Sequence, residues 1–506
     1  MKDDNLYALL AARFPADARA PCLIMPDGRA WTYGDVERAS GRMANLLVAL
    51  GLAPGDRVAV QVDKTPEALV LYLATLRAGL VFLPMNPAYR RHEVEYFLAD
   101  ATPGLFVCRP QARGMADEAA QKAKVRHVLE LGDDGRGSLI DAAAPHADAF
   151  ATVPRDGGDL AAILYTSGTT GRSKGAMLTH RNLAVNALAL HGYWHFAPGD
   201  VLLHMLPIFH VHGLFVACHC ALLNGSAMFF EPKFDARRAV ALLPQSTVFM
   251  GVPTYYVRLL ADPGFTRDAC RHMRLFVSGS APLLKETFEA FRQRTGHSIL
   301  ERYGMTEGGM FTSNPYEGER RAGTVGFPLP CTQLRIVDDQ DRPCAAGEIG
   351  SIQVKGDNVF AGYWRMPDKT REEFTEDGWF RTGDVGSRSG DGYISISGRS
   401  KDLVITGGLN VYPKEIEDMI DALPGVAESA VIGVPHPDFG EAVTAVVVRR
   451  QDRAGAALTE AAIADALRAE LAAFKLPKRV HLVDELPRNA MGKVQKNLLR
   501  DRYSGR

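Results

Sequence analysis

The 506-residue chain carries almost no net charge: 58 Lys and Arg stand against 59 Asp and Glu, leaving −1. That balance excludes the basic surface by which a protein holds nucleic acid or an anionic membrane. Although 46% of the residues are hydrophobic, no apolar run nears the ~18 residues of a membrane span. The opening MKDDNLYALL lacks the basic region and apolar stretch of a secretory leader. Cysteine is scarce and odd in number, seven residues at 22, 108, 218, 220, 270, 331 and 344, and no CxxC pair occurs. This excludes a disulfide framework and fits reduced thiols in a cytoplasmic protein. The ligand-like cluster HVHGLFVACHC (His210, His212, Cys218, His219, Cys220) has no zinc spacing and reads as buried small thiols in an apolar element. Internal repeats and low-complexity arrays are also missing.

What remains is the composition of a globular protein too long for one core, so two or three domains are expected. The first 400 or so residues alternate strands with helices. DRVAVQV (56–62) has a strand pattern. TPEALVLYLATLRAG (65–79) reads as a helix with Thr65 as N-cap, Pro66 in the first turn and Gly79 at its end. LVFLPMNP, LAAILY, TVFMGVP, RLFVSGS and SILERYG repeat the strand half of this βαβ grammar. Such alternation predicts doubly wound parallel sheets. From about 323, QLRIVDD, IGSIQVKG, WFRTGDVG and GYISISG are closely spaced short strands, a β-rich subdomain. After GRSKD (398–402), YPKEIEDMIDAL places Ile416, Met419 and Ile420 at helical spacing, and AESAVIGVP and AVTAVVVRR supply strands. The expected architecture is α/β. A large N-terminal domain (1–400) of doubly wound sheets carries the β-rich subdomain at about 323–400. A small mobile α+β C-terminal domain (401–506) follows.

The motif richest in chemistry is YTSGTTGRSKGAMLTH (165–180). Its glycines 168, 171 and 175 permit close backbone approach. Thr166, Ser167, Thr169, Thr170 and Ser173 offer hydroxyls, and Arg172 and Lys174 offer charge, all suited to phosphate oxygens. A Walker loop is excluded at two positions: Ser173 stands where the second glycine is required, and Gly175 stands where the Mg²⁺-binding hydroxyl belongs.

With SGSAP (278–282), YGMTE (303–307), TGD (382–384), GRSKDLVITGG (398–408) and PRNAMGKVQK (487–496) following in order, the chain resembles the adenylate-forming superfamily of acyl-CoA synthetases and related enzymes along essentially its whole length. The resemblance implies two steps. A carboxylate first attacks the α-phosphate of ATP, and a thiol, usually of coenzyme A, then displaces AMP. It implies that residues 166–174 hold the β- and γ-phosphates. Tyr303 would stack on adenine beside the backbone of Gly279, Ser280 and Ala281. Thr306 would touch the α-phosphate and Glu307 would hold Mg²⁺. Asp384, assisted by Arg399, would take the ribose hydroxyls, and Lys493 would be the adenylation lysine. Lys401 would be the hinge on which the small domain turns, bringing Gly407 and Gly408 to the pantetheine arm.

His210, in PIFHVHGLF (207–215), is implied to orient the acid as a neutral imidazole. Two arginines narrow the acid. Arg302 stands directly before YGMTE, where many relatives have a small residue, and Arg258 interrupts the apolar GVPTYYVRLL four residues after Thr254. Buried anions need paired cations, and arginine grips a carboxylate bidentately. Alternatively, Arg302 pairs with Glu301 or Glu307, and Arg258 is the solvent face of a helix. The string ERYGMTE is similar to that of the malonyl-CoA synthetase branch, which implies malonate as substrate, with Ser280 in contact with the acid. Val211 and Met310 are expected to set the room at its α-carbon, with methylmalonate a secondary substrate. Two other readings stay open: ligation of a short-chain, medium-chain or aryl monocarboxylic acid, and loading of a carrier protein. ATP, Mg²⁺ and coenzyme A are the expected small molecules, and a monomer or homodimer the expected state.

Overall fold

The computed structural model describes residues 4–166, 173–406, 409–436, 439–468, 470–489 and 492–504. Two mostly parallel sheets dominate. The six-stranded one runs, edge to edge, His127–Glu130, Leu105–Cys108, Arg57–Gln61, Val81–Pro84, Leu160–Thr166 and Lys174–Thr179, with only the last pair antiparallel. The glycine-rich loop therefore closes a hairpin, Thr166 facing Lys174 in register. The nine-stranded sheet has a parallel centre of Leu300–Met305, Leu275–Ser278, Val248–Gly251, Val201–His204, Ala227–Phe230 and Pro21–Ile24. Antiparallel strands close both of its edges.

The helix Pro66–Arg77 shows why the two sheets join. Thr65 caps it by accepting from the Ala68 N–H, Pro66 fills its first turn, and the chain leaves through Gly79 at φ +71°. Its residues are buried on every side, with Leu69, Leu71, Tyr72 and Leu73 inaccessible to solvent. A helix apolar all round belongs inside a protein. It shares one core with residues of both large sheets, Val58 and Ala162 on one and Leu202 and Leu300 on the other. Truncating one of these leucines to alanine costs about 2–5 kcal/mol.

A four-stranded antiparallel sheet (Gln333–Val337, Gly350–Lys355, Phe380–Arg388, Ile394–Arg399) follows. The last sheet carries Leu409–Val411, Val404–Thr406, Gly440–Arg449 and Val426–His436, with Arg479–Val483 parallel to Gly440–Arg449. The helix Pro413–Asp421 packs on it through Ile416 and Ile420. Among the described residues no helix is long and apolar enough to cross a membrane.

Candidate active site

Leu275–Ser278 and Leu300–Met305 run side by side, with Val277 opposite Leu300 and Ser278 opposite Glu301. Their carboxyl ends therefore release two loops at one place, 279–284 and 306–308, the usual position of a ligand crevice in such sheets. Thr306 lies partly buried in the tight turn that leads to Gly309–Ser313.

The nucleotide side is built from cross-strand pairing. Asp384 and Arg399 are direct partners across two strands, and the Arg399 Nε meets Asp384 Oδ1 at 2.7 Å. The other carboxylate oxygen of the buried Asp384 accepts from the Tyr303 hydroxyl. Tyr303 is thus anchored through its hydroxyl while its ring is only partly buried.

Residues 361–364 add an edge to the hairpin: Ala361 donates to Met177 O, and Trp364 donates to Gly175 O. This brings Tyr363 over Lys174, whose Nζ is 4.1 Å from the ring centre and 3.4 Å from Glu373. The Tyr363 hydroxyl donates to Glu307 Oε1 at 3.0 Å. Burial pushes the Glu307 carboxyl up, against the opposing pull of its own N–H, Tyr363, Arg399 and Lys174. Tyr363 and Glu373 drew no attention in the sequence, because only the folded edge of the sheet brings them to the loop.

The acid side is different. Arg302 is 3% exposed, and its Nε and Nη2 have no hydrogen-bond partner among the described residues. Glu301 and Glu307 do not take it up: Glu301 Oε1 accepts from the Leu283 N–H at 3.1 Å, and Glu307 is bound to Tyr363. Burial drives the guanidinium down to about 9, so it keeps its charge at neutral pH, and the same burial raises Glu301 to about 7. His210 and His212 both feel Arg302; burial first and this charge second hold His210 at about 4 and His212 well below its usual value. Val211, between the two histidines in the chain, and Met310, paired with Gly304, are buried, and Ser280 Oγ lies 3.3 Å from His212 Nδ1. His212 through Cys218 form one π-helical stretch, entirely buried, as the expectation for that cluster required. Arg258 is placed otherwise than a buried pocket demands. Tyr256 and Leu259 take the inner face of the helix Pro253–Ala261, and Arg258 is exposed.

Lys493 comes from the C-terminal part of the chain. The adjacent Gly492 packs against Thr254, whose Oγ1 would be 3.4 Å from a Cβ on that glycine. Lys493 is solvent-accessible, yet the protein around its ammonium and the Arg399 charge lower its pKa, while Asp384 and Asp402 oppose them. Lys401 is lowered to about 8, by burial first and by Arg399 and Lys493 as well. Thr166 donates to Lys174 O at 3.3 Å, and Ser173 O accepts from Tyr96 at 2.7 Å. Ala281 is partly buried in the loop after Ser280. Ser167, Gly168, Thr169, Thr170, Gly171, Arg172, Gly407 and Gly408 lie outside the described residues.

A cation-bearing hairpin, a buried carboxylate, an anchored tyrosine–aspartate pair and a lysine brought in from the C-terminal part of the chain point to a class of enzyme that joins a carboxylic acid to a nucleotide. The chain belongs to the adenylate-forming superfamily, as an AMP-forming acid–thiol ligase. The AMP-binding enzyme family matches residues 10–364, and the AMP-binding enzyme C-terminal domain matches 415–493. A sulfoacetate–CoA ligase of Cupriavidus necator is 36% identical over 503 residues, 97% of each chain. A malonate–CoA ligase of Arabidopsis thaliana is 34% identical over 94% of this chain and 85% of its own length. The crystal structure of ATP-bound MatB from Rhodopseudomonas palustris superposes with a TM-score of 0.97 at 55% identity over 99% of both chains. Apo MatB from the same organism gives 0.85 at 56% identity. This chain thus overlays the ATP-bound form more fully than the apo form.

Proposed function

We propose that the protein ligates malonate to coenzyme A through malonyl-AMP, releasing diphosphate and then AMP, with methylmalonate as a secondary substrate. The observation that carries this reading is the buried Arg302 edge, Nε and Nη2, left without a partner among the described residues. An acyl chain or aryl ring there would leave a buried guanidinium uncompensated, whereas a second carboxylate pairs with it bidentately.

In this reading malonate lies with its distal carboxylate on Arg302 and its reacting carboxylate toward Thr306 and Lys493. A carboxylate oxygen attacks the α-phosphorus of ATP as the bond to diphosphate breaks. Lys493 carries charge to both reacting groups, Lys174 steadies the outgoing phosphates, and Tyr303, Asp384 and Arg399 fix the nucleoside. Neutral His210 orients the acid without adding charge. Among the described residues no group of three or more His, Cys, Asp or Glu could hold a metal ion. Glu307 would be the protein group that holds Mg²⁺, and the ion would there neutralise phosphate charge. Residues 401–506 then turn as a unit on Lys401, withdrawing Lys493 so that Gly407 and Gly408 admit the pantetheine arm. The thiolate attacks the acyl carbon and AMP leaves.

A second reading, an acid with a distal sulfonate, is favoured by the sulfoacetate–CoA ligase relative and by the same arginine edge. A diphosphate-release screen over malonate, methylmalonate, sulfoacetate, acetate, octanoate and benzoate, with coenzyme A or a carrier protein as acceptor, separates these readings. Malonate with coenzyme A is expected to lead by 100-fold or more over the monocarboxylates, the order of a lost buried ion pair. Arg302→Ala is expected to lose malonate kcat/KM on the order of 10²- to 10³-fold with little change in the KM for ATP. Undiminished malonate turnover in that variant refutes the dicarboxylate reading.

A further inference from the structure

The loop after Leu275–Ser278 does two things in consecutive residues. Gly279 lies flat against the Arg302 guanidinium: a Cβ there would stand 2.4 Å from Cζ, 2.5 Å from Nη1 and 2.7 Å from Nε. No side-chain atom tolerates such distances, so Arg302 occupies its buried seat only because residue 279 has no side chain. Ser280, the next residue, sits at φ +71°, a left-handed conformation that non-glycine residues seldom adopt. That turn sets its hydroxyl 3.3 Å from His212 Nδ1.

His212 is 1% exposed, and its Nε2 has no partner among the described residues. A buried polar nitrogen left open is rare and calls for an explanation. With Arg302 as the principal nearby charge, His212 stays neutral at pH 7 and so carries one ring proton. A serine hydroxyl that donates to Nδ1 leaves that proton on Nε2. The ring then holds a buried, unpaired N–H within the influence of the Arg302 charge, whose Nε and Nη2 are likewise unpaired among the described residues.

Given a dianionic acid in this cleft, the reading on which this step rests, we infer that His212 is a further specificity residue. Its Nε2–H donates to the distal anionic group held by Arg302; Ser280 sets its tautomer and Gly279 makes room for the guanidinium. The pair recognises an anion by hydrogen bonds alone, without any proton transfer. An acid of the same length with an uncharged distal end, propionate, leaves all three N–H groups unpaired.

The test is the ratio of kcat/KM for malonate over propionate in the full-length enzyme, measured by diphosphate release with the KM for ATP and the melting temperature alongside. His212→Phe keeps the ring and removes the donor; the ratio is expected to fall about 10- to 100-fold, the range for one hydrogen bond to a charged group. His212→Gln, which restores an N–H at similar reach, is expected to recover most of it. Gly279→Ala is expected to lower the ratio by displacing Arg302. A ratio within twofold of wild type in His212→Phe overturns the inference while leaving malonate as the substrate. A wild-type enzyme without preference for malonate over propionate overturns the reading beneath it as well. Should His212→Phe fail to fold, Ser280→Ala and Gly279→Ala report the same ratio.

Discussion

The two ends of the cleft are furnished in opposite ways. At the nucleotide end the polar groups hold one another: Tyr303 on Asp384, Asp384 on Arg399, Tyr363 on Glu307, Lys174 on Glu373. At the acid end Arg302 Nε, Arg302 Nη2 and His212 Nε2 hold nothing among the described residues. Internal bonds keep the first end in shape before any ligand arrives, so its contribution is position. The second end is a set of buried donors without partners among the described residues. On the proposed reading the correct acid satisfies it and one without a distal anion leaves buried groups unpaired, which is the stronger way to reject a substrate.

That contrast can be broken at several points. The largest effect is expected outside both ends, at the lysine that serves the bond between them. Lys493→Ala should lower acyl-AMP formation on the order of 10²- to 10³-fold, as loss of a charge-stabilising donor does. Thioester formation from supplied acyl-AMP should persist. Single-turnover assays of the two half-reactions check this, and full turnover in the variant would contradict the assignment. A smaller effect follows at the nucleotide end. Tyr303→Phe removes one hydroxyl from Asp384 and should raise the KM for ATP several-fold, about 1 kcal/mol, with the malonate-over-propionate ratio unmoved. A shift in that ratio would show that the two ends are coupled.

The smallest effect lies away from catalysis. His219 is fully buried, its Nε2 2.7 Å from the Tyr72 hydroxyl, and burial holds it at about 3. Its folded pKa is below its unfolded one near 6.5, so the unfolded chain binds the extra proton as pH falls. Stability linked to this group is complete above about 6.5 and declines toward its folded pKa. Denaturation between pH 6.5 and 5 should therefore show a slope shallower by up to about 1.4 kcal/mol per pH unit in His219→Gln. An unchanged slope would mean that His219 titrates normally.

Much of this was legible in the chain because it is local. Alternating apolar runs marked 57–61, 81–84, 248–251 and 275–278 as strands. Thr65, Pro66 and Gly79 marked both ends of a helix. Arg302 was legible as an anomaly, a charge inside a strand that otherwise reads as buried. What was not legible is long-range. Nothing near position 363 or 373 says that the segment 361–364 will pair with 175–177 and carry Tyr363 to Glu307 and Lys174. Gly279 is expected from the sequence only as backbone beside adenine; its close packing against Arg302 is a tertiary contact. Arg258 shows the reverse: helical spacing from Thr254 identified a face of Pro253–Ala261 but not its solvent exposure, which Tyr256 and Leu259 decide by filling the core.

The bridge between Lys174 and Glu373 has one more consequence. The strands on either side of the glycine-rich loop, Leu160–Thr166 and Lys174–Thr179, pair antiparallel, so on the proposed reading side chains such as Lys174 attract the incoming triphosphate. Lys174 already has a carboxylate partner at 3.4 Å. On the proposed reading, nucleotide capture at this lysine is therefore an exchange, one anion replacing another, and its net gain is a difference between two ion pairs. Such an exchange would discriminate by charge density: a triphosphate would displace the carboxylate, and AMP, lacking the β- and γ-phosphates, would return the lysine to Glu373.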